Sequence, residues 1–166
     1  MTTGPADPNS PQYGYPAGYP PPTAPGLRPA GRWVRFFARL IDGIIVNIVA
    51  FLISLFLLHN DYWFLATGLF SGVLTFGYFV LFEVTQGSSP GKKLLGLAVR
   101  GPGGAPKPNV KQSAIRNAFT LFAVIPYFGG LLVFIAMVVI AVTIGSSPTK
   151  QGQHDELAGG TQVVRA

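Results

Sequence analysis

The sequence predicts an all-α membrane protein, a polytopic bundle of three to four transmembrane or re-entrant helices with a small cytoplasmic β-hairpin or sheet. Three observations predict it. The chain is 49% hydrophobic and only 11% charged, whereas a soluble domain carries about 25% charged residues. Its apolar residues fall in blocks rather than at amphipathic spacing, and about 20 in a row suffice to cross a bilayer. Finally, the first block carries charge in its opening turns, at Arg39 and Asp42. Each such charge costs roughly 2.5–3.5 kcal/mol to insert, so it generally has a partner.

Residues 1–30 form a separate compositional region that holds most of the prolines, with Tyr13, Tyr15 and Tyr19 among them. Low aliphatic content and the loss of backbone donors predict a disordered tail, partly polyproline II, rather than a core. No basic segment precedes an apolar one there, so it does not read as a signal peptide. A solvated tail is the plain expectation, and a Pro-rich ligand for a protein partner is the functional one. The remainder, 31–166, reads as one transmembrane domain.

The first span is expected over Phe36–Leu58, with Trp33 as an interface anchor. His59-Asn60-Asp61-Tyr62 makes a short loop to a second span, about Trp63–Val84, which holds Gly68 and Gly72 at a spacing that favours close helix approach. Residues 85–117 are polar and basic. Within them Gly87-Ser88-Ser89-Pro90-Gly91 reads as a turn, Leu94–Arg100 as a strand, and Gly101-Pro102-Gly103-Gly104 as a hairpin turn. Asn109 is placed to cap a helix. The third block, Ala118–Ile144, admits two readings: one long tilted span, or two helices broken at Pro126-Tyr127-Phe128-Gly129-Gly130. Thr161–Val164 reads as a strand.

Basic residues set the orientation. Arg28, Arg32, Arg35 and Arg39 precede or open the first span, and Lys92, Lys93, Arg100, Lys107, Lys111 and Arg116 lie in the 85–117 segment. The positive-inside rule puts both regions in the cytoplasm. The side of the C-terminus depends on whether the third block crosses once or turns back.

With that orientation Arg39, Asp42 and Glu83 lie at similar depth, and Arg116 and Asn117 open the third block on the same side. Asp155, beside His154, joins them if the C-terminus is inside. A spacing of three puts Arg39 and Asp42 on one helix face, where they can pair. In such a low-dielectric cluster carboxylate protonation becomes switchable, the basis for expecting an ion-, proton- or solute-handling site at Arg39, Asp42, Glu83 and Asp155. Asn47, Arg116, Asn117 and His154 would support it. The structural alternative is an Arg–carboxylate lock between helices, with Glu83 as a solvated helix end and Asn47 as an interhelical hydrogen bond. The chain has no cysteine, its two histidines give no metal spacing, and no nucleophile–base pair or phosphate loop is present. Neither an enzyme nor a cofactor is expected. The formal charge of +6 flanks apolar segments, which suits the lipid bilayer and not nucleic acid.

At these residues the chain resembles the RDD family of bacterial membrane proteins, named for one arginine and two aspartates. Ala38-Arg39-Leu40-Ile41-Asp42 is similar to its first-helix pattern, and the stretch from Gly87 to Val99 to the segment after its second helix. Arg116-Asn117 resembles the pair opening its third block, and the stretch from Gln153 to Val164 its C-terminal His-Asp motif, with one extra Gly before Thr161. The resemblance makes Asp155 the second aspartate. It implies a multi-pass protein of the bacterial cytoplasmic membrane, for which transport of an unidentified ligand has been proposed. The two expected strands could pair with each other, which favours a cytoplasmic C-terminus and a broken third block. A chain this short has few helices to surround a path, so a pore implies a homo-oligomer. The competing expectation is a membrane scaffold whose Pro-rich tail recruits partners.

Overall fold

The computed structural model describes residues 27–57 and 63–166, and side chains from residue 69 onward in the second stretch. The Pro/Tyr tail up to residue 26 and the loop His59–Tyr62 lie outside the described residues. Among the described residues, three helices are long and apolar enough to cross a membrane. They are α1 (Arg32–Leu57), α2 (Trp63–Gln86) and α5 (Gly129–Ser146). Between α2 and α5 come the short α3 (Pro90–Leu94), strand β1 (Leu97–Arg100) and α4 (Val110–Asn117), and α6 (Gln153–Leu157) and β2 (Gln162–Arg165) close the chain.

Helix α1 is patterned inside out. Arg35, Ala38, Asp42, Val46, Ala50 and Ser54 are buried along one stripe, spaced three or four apart as a helix face requires. Its large apolar residues, among them Leu40, Ile44, Ile48 and Leu52, are exposed. Small and polar residues inside with large apolar ones outside is the packing of a bundle solvated by lipid, where association rests on close contact rather than on hiding apolar surface from water. Helix α2 packs along this stripe. At Gly72 of α2 an added Cβ would stand 2.9 Å from Val124 Cγ2, so the glycine lets the next segment lie close.

The third apolar block is broken. Asn109 caps α4, its Oδ1 accepting from Gln112 N at 2.9 Å while its own N–H donates to Gln112 Oε1 at 2.8 Å. The helix then tightens into a 3₁₀ run over Ala118–Val124 and turns at Pro126-Tyr127-Phe128 into α5. Tyr127 sits at φ 64, the left-handed conformation that reverses the chain. At about 1.5 Å per residue α5 is roughly 27 Å long, close to the ~30 Å hydrocarbon core.

The strands pair antiparallel, Leu97 opposite Arg165 and Arg100 opposite Gln162, and Pro29 adds a bridge to Val164. They lie far apart in sequence, so the element is a two-stranded sheet and not a hairpin. Residues 102–104 instead form a 3₁₀ turn that leads toward α4. Strand β1 also starts later than Leu94, because Pro90–Leu94 is helical. This pairing gathers the start of α1, the ends of α2 and α5, the 87–117 segment and the C-terminal tail at one end of the bundle. Ala30, Ala38, Leu97, Val99 and Val163 form the apolar core there.

Candidate functional site

The charged residues converge at that end, in two separate constellations. In the first, Asp42 is fully buried and accepts three hydrogen bonds, from Tyr78 Oη at 2.7 Å, Ser89 Oγ at 2.5 Å and Gly91 N at 2.7 Å. It therefore caps the first turn of α3 from another helix, satisfying an N–H that has no partner within α3. The Ser89-Pro90-Gly91 sequence fits this contact. Pro90 occupies the first helical turn, where its missing N–H is harmless. Gly91 admits α1 so closely that a Cβ would stand 2.4 Å from Ala38 O.

The second constellation joins Arg35, Glu83, Lys92, Arg116 and Asp155. Asp155 receives Arg35 Nη1 and Arg116 Nη1, each at 2.9 Å, and Gly152 N at 3.2 Å. Arg35 spends its other donors on the carbonyls of Ala30, Lys150 and Val163, tying α1 to the C-terminal tail. Glu83 receives Lys92 Nζ at 2.5 Å, Ser113 Oγ at 2.8 Å and Asn117 Nδ2 at 3.0 Å, with Arg116 Nε at 3.7 Å. Glu83 is fully buried; α3 and α4 fold over the end of α2, so it is no solvated helix end. The paired guanidinium groups hold the Asp155 carboxyl below the ordinary carboxylate range, against its burial. Burial and the neighbouring arginines lower His154 to about 3, leaving it neutral. Burial likewise lowers Lys92 to about 8, partly offset by Glu83.

Arg39 belongs to neither constellation. Arg39 and Asp42 form no ion pair among the described residues, because Asp42 is taken up by α3. The Arg39 guanidinium instead lies between two rings, 4.3 Å from the centroid of Phe79 and 4.6 Å from that of Phe119, a cation–π sandwich. Its hydrogen bond to a side chain goes to neutral Asn117 Oδ1, at 3.1 Å. Asn47 makes an interhelical contact, accepting from Ser71 Oγ at 2.8 Å while its amide donates to Gly43 O.

A cavity of about 70 Å³ opens beside Arg39. One wall is α1, through Arg32, Phe36 and Arg39, and the opposite wall is α5, through Met137, Ile140, Ala141 and Ile144. Lys92, Arg116 and His154 contribute to its floor. Five cationic side chains line this space and no carboxylate does. The sequence reading missed Arg35 and Lys92 as members of the buried network and treated them as topology signals. The signal for Arg35 was present in the small and polar stripe of α1.

Fold and site define a small multi-pass helical membrane protein with a charged network built into one end of its bundle. The chain belongs to the RDD family, whose model matches residues 29–159. No curated protein and no solved structure matches it.

Proposed function

We propose that this protein binds an anionic ligand in the arginine-lined cavity, as the recognition step of a small transporter or carrier in the bacterial cytoplasmic membrane. The observation that carries this reading is a cavity whose charged lining residues are all cations, beside an arginine that makes no ion pair among the described residues. A buried or half-buried guanidinium offers a forked set of donors suited to a carboxylate or phosphate. Asp42, Glu83 and Asp155 frame the site, each accepting several hydrogen bonds or ion pairs in the resting fold. The reading gives the protein no enzymatic step.

The N-terminus, the 85–117 segment and the C-terminal tail are assigned to the cytoplasm. The excess of basic residues supports this, as does the β1–β2 pairing. On this assignment α1 and α2 cross, the 3₁₀ run re-enters and α5 returns, while residues 1–30 remain a cytoplasmic tail. A pore would require a homo-oligomer, and a carrier would not.

Anion-dependent thermal stabilisation of purified protein tests the reading, with inorganic phosphate and dodecyl phosphate compared against chloride at equal ionic strength. Stabilisation that Arg39→Gln weakens is expected, and stabilisation by neither phosphate would sink the proposal. The complete pairing of Asp155 and Glu83 favours a second reading, a scaffold whose ion pairs only lock helices. Deleting residues 1–30 separates the two. Loss of cellular function on deletion, with Arg39→Gln behaving as wild type, would favour the scaffold.

A further inference from the structure

The cavity's two walls differ in chemistry in a way that specifies the ligand further than its charge. On α1, Arg32 and Arg39 stand two turns apart on one face, about 10 Å along the axis. Neither makes an ion pair among the described residues. Arg32 reaches across the mouth toward the end of α5, since a Cβ at Gly145 would stand 2.9 Å from its Nη1. Opposite, α5 presents Met137, Ile140, Ala141 and Ile144, an unbroken apolar stripe at helical spacing. The two helices barely touch, so the space between them is a crevice. Its floor is cationic, and one long side is hydrocarbon.

We infer that this crevice binds an amphiphilic anion: a phosphate or carboxylate headgroup among Arg39, Lys92 and Arg116, with a hydrocarbon chain lying along the α5 stripe. The inference rests on the anion reading above and names the class of ligand. Volume agrees with it. A cavity of about 70 Å³ holds roughly five water-sized groups at about 10–15 Å³ each, the scale of a phosphate and not of a whole lipid. The remainder of the molecule must therefore run out of the cavity. Continuing past Met137, α5 carries the exposed Phe134, seven residues and two turns before Ala141 on the same face, which extends the apolar path away from the charged end. Electrostatics agree as well. Five cations line the crevice, and the buried Glu83 and Asp155 pair with three of them, Lys92, Arg35 and Arg116, so the lining keeps a net positive charge for an anionic headgroup to balance. A free inorganic anion would use the floor and leave the wall idle.

The test uses full-length protein in a neutral maltoside detergent. Thermal stabilisation is followed for inorganic phosphate, octyl phosphate and dodecyl phosphate, the alkyl phosphates being compared at equal mole fraction in the micelle. Native mass spectrometry examines the same preparation for retained anionic phospholipid or fatty acid. Stabilisation should strengthen at least tenfold from inorganic to dodecyl phosphate, and a retained species of either kind identifies the source of the headgroup. Phe134→Asn, which puts a polar side chain on the apolar path outside the cavity lining, should remove the chain-length gain and keep the response to inorganic phosphate. Arg39→Gln should weaken every member of the series. Equal potency of inorganic and dodecyl phosphate would overturn the inference while leaving the anion reading intact. So would a chain-length gain that survives Phe134→Asn. Silence of the entire series would instead remove the anion reading itself.

Discussion

Replacing Asp155 with Asn should strand two buried cations. Asp155 is fully buried and stands 2.9 Å from both Arg35 and Arg116. At an effective dielectric of about 20, charges roughly 4 Å apart attract by about 4 kcal/mol, so the two pairs together supply several kcal/mol against the cost of desolvating three ions. Asparagine keeps the shape and one acceptor oxygen but removes the charge, and Arg35 and Arg116 are left facing each other. Breaking a buried pair from one side costs about 3–5 kcal/mol, and that is the expected loss. For a chain of this size it lowers the melting temperature by roughly 10 °C, at about 2–4 °C per kcal/mol. The assay is thermal unfolding in mild detergent at neutral pH. Adding Arg35→Met to Asp155→Asn should recover part of the loss, because most of the cost lies in the stranded cation. A single variant within about 1 kcal/mol of wild type, on the scale for exposed pairs, would refute the reasoning. Strict additivity of the two substitutions would refute it as well.

Other perturbations address the remaining parts of the site. Gly91→Ala places a methyl 2.4 Å from Ala38 O and 2.9 Å from Asp42 Oδ1; it should cost about 1–3 kcal/mol as overpacking does, seen as a lowered melting temperature. Lys92 loses its proton at about 8 in the folded protein and near 10.5 in the unfolded chain. The folded state therefore binds fewer protons in that window, so stability rises with pH from about 8 to 10.5, whereas anion affinity falls because the crevice loses a charge. Titration of dodecyl phosphate at pH 7 and pH 9 should show the loss of affinity in wild type and not in Lys92→Gln. Glu156 is exposed beside the buried Asp155, and a Cys there should resist a membrane-impermeant thiol reagent in intact cells and react after lysis. Gly160, at φ 92, is a poorer position because a side chain there is strained.

The sequence read well where one physical requirement dominated. Long apolar runs located α1 and α2 and the block that holds α5, Asn109 announced a cap, and Pro126-Tyr127-Phe128-Gly129-Gly130 offered the break as one of two readings of that block. It read less well where several elements competed for one side chain. Helical spacing brought Arg39 and Asp42 together on paper. In three dimensions Tyr78, Ser89 and Gly91 take Asp42, and Phe79 and Phe119 enclose Arg39. Glu83 looked like a solvated helix end because nothing in α2 shows that α3 will fold back to deliver Lys92. Lys92 and Arg35 looked like topology signals because basic residues near a span normally are, and their burial depends on carboxylates nine and 120 residues away. The cavity was invisible for the same reason, since its walls come from the first and the last long helix.

The most direct test of the central claim is a comparison of two ligands with the same chain and opposite charge. Dodecyl phosphate and dodecyltrimethylammonium are titrated into the protein in neutral detergent, with thermal stability as the readout. A crevice lined by Arg32, Arg35, Arg39, Lys92 and Arg116 should be stabilised by the anion and left unchanged or destabilised by the cation. Arg39→Gln should remove most of the difference. Equal responses to the two ligands, or stabilisation by the cation alone, would contradict the account.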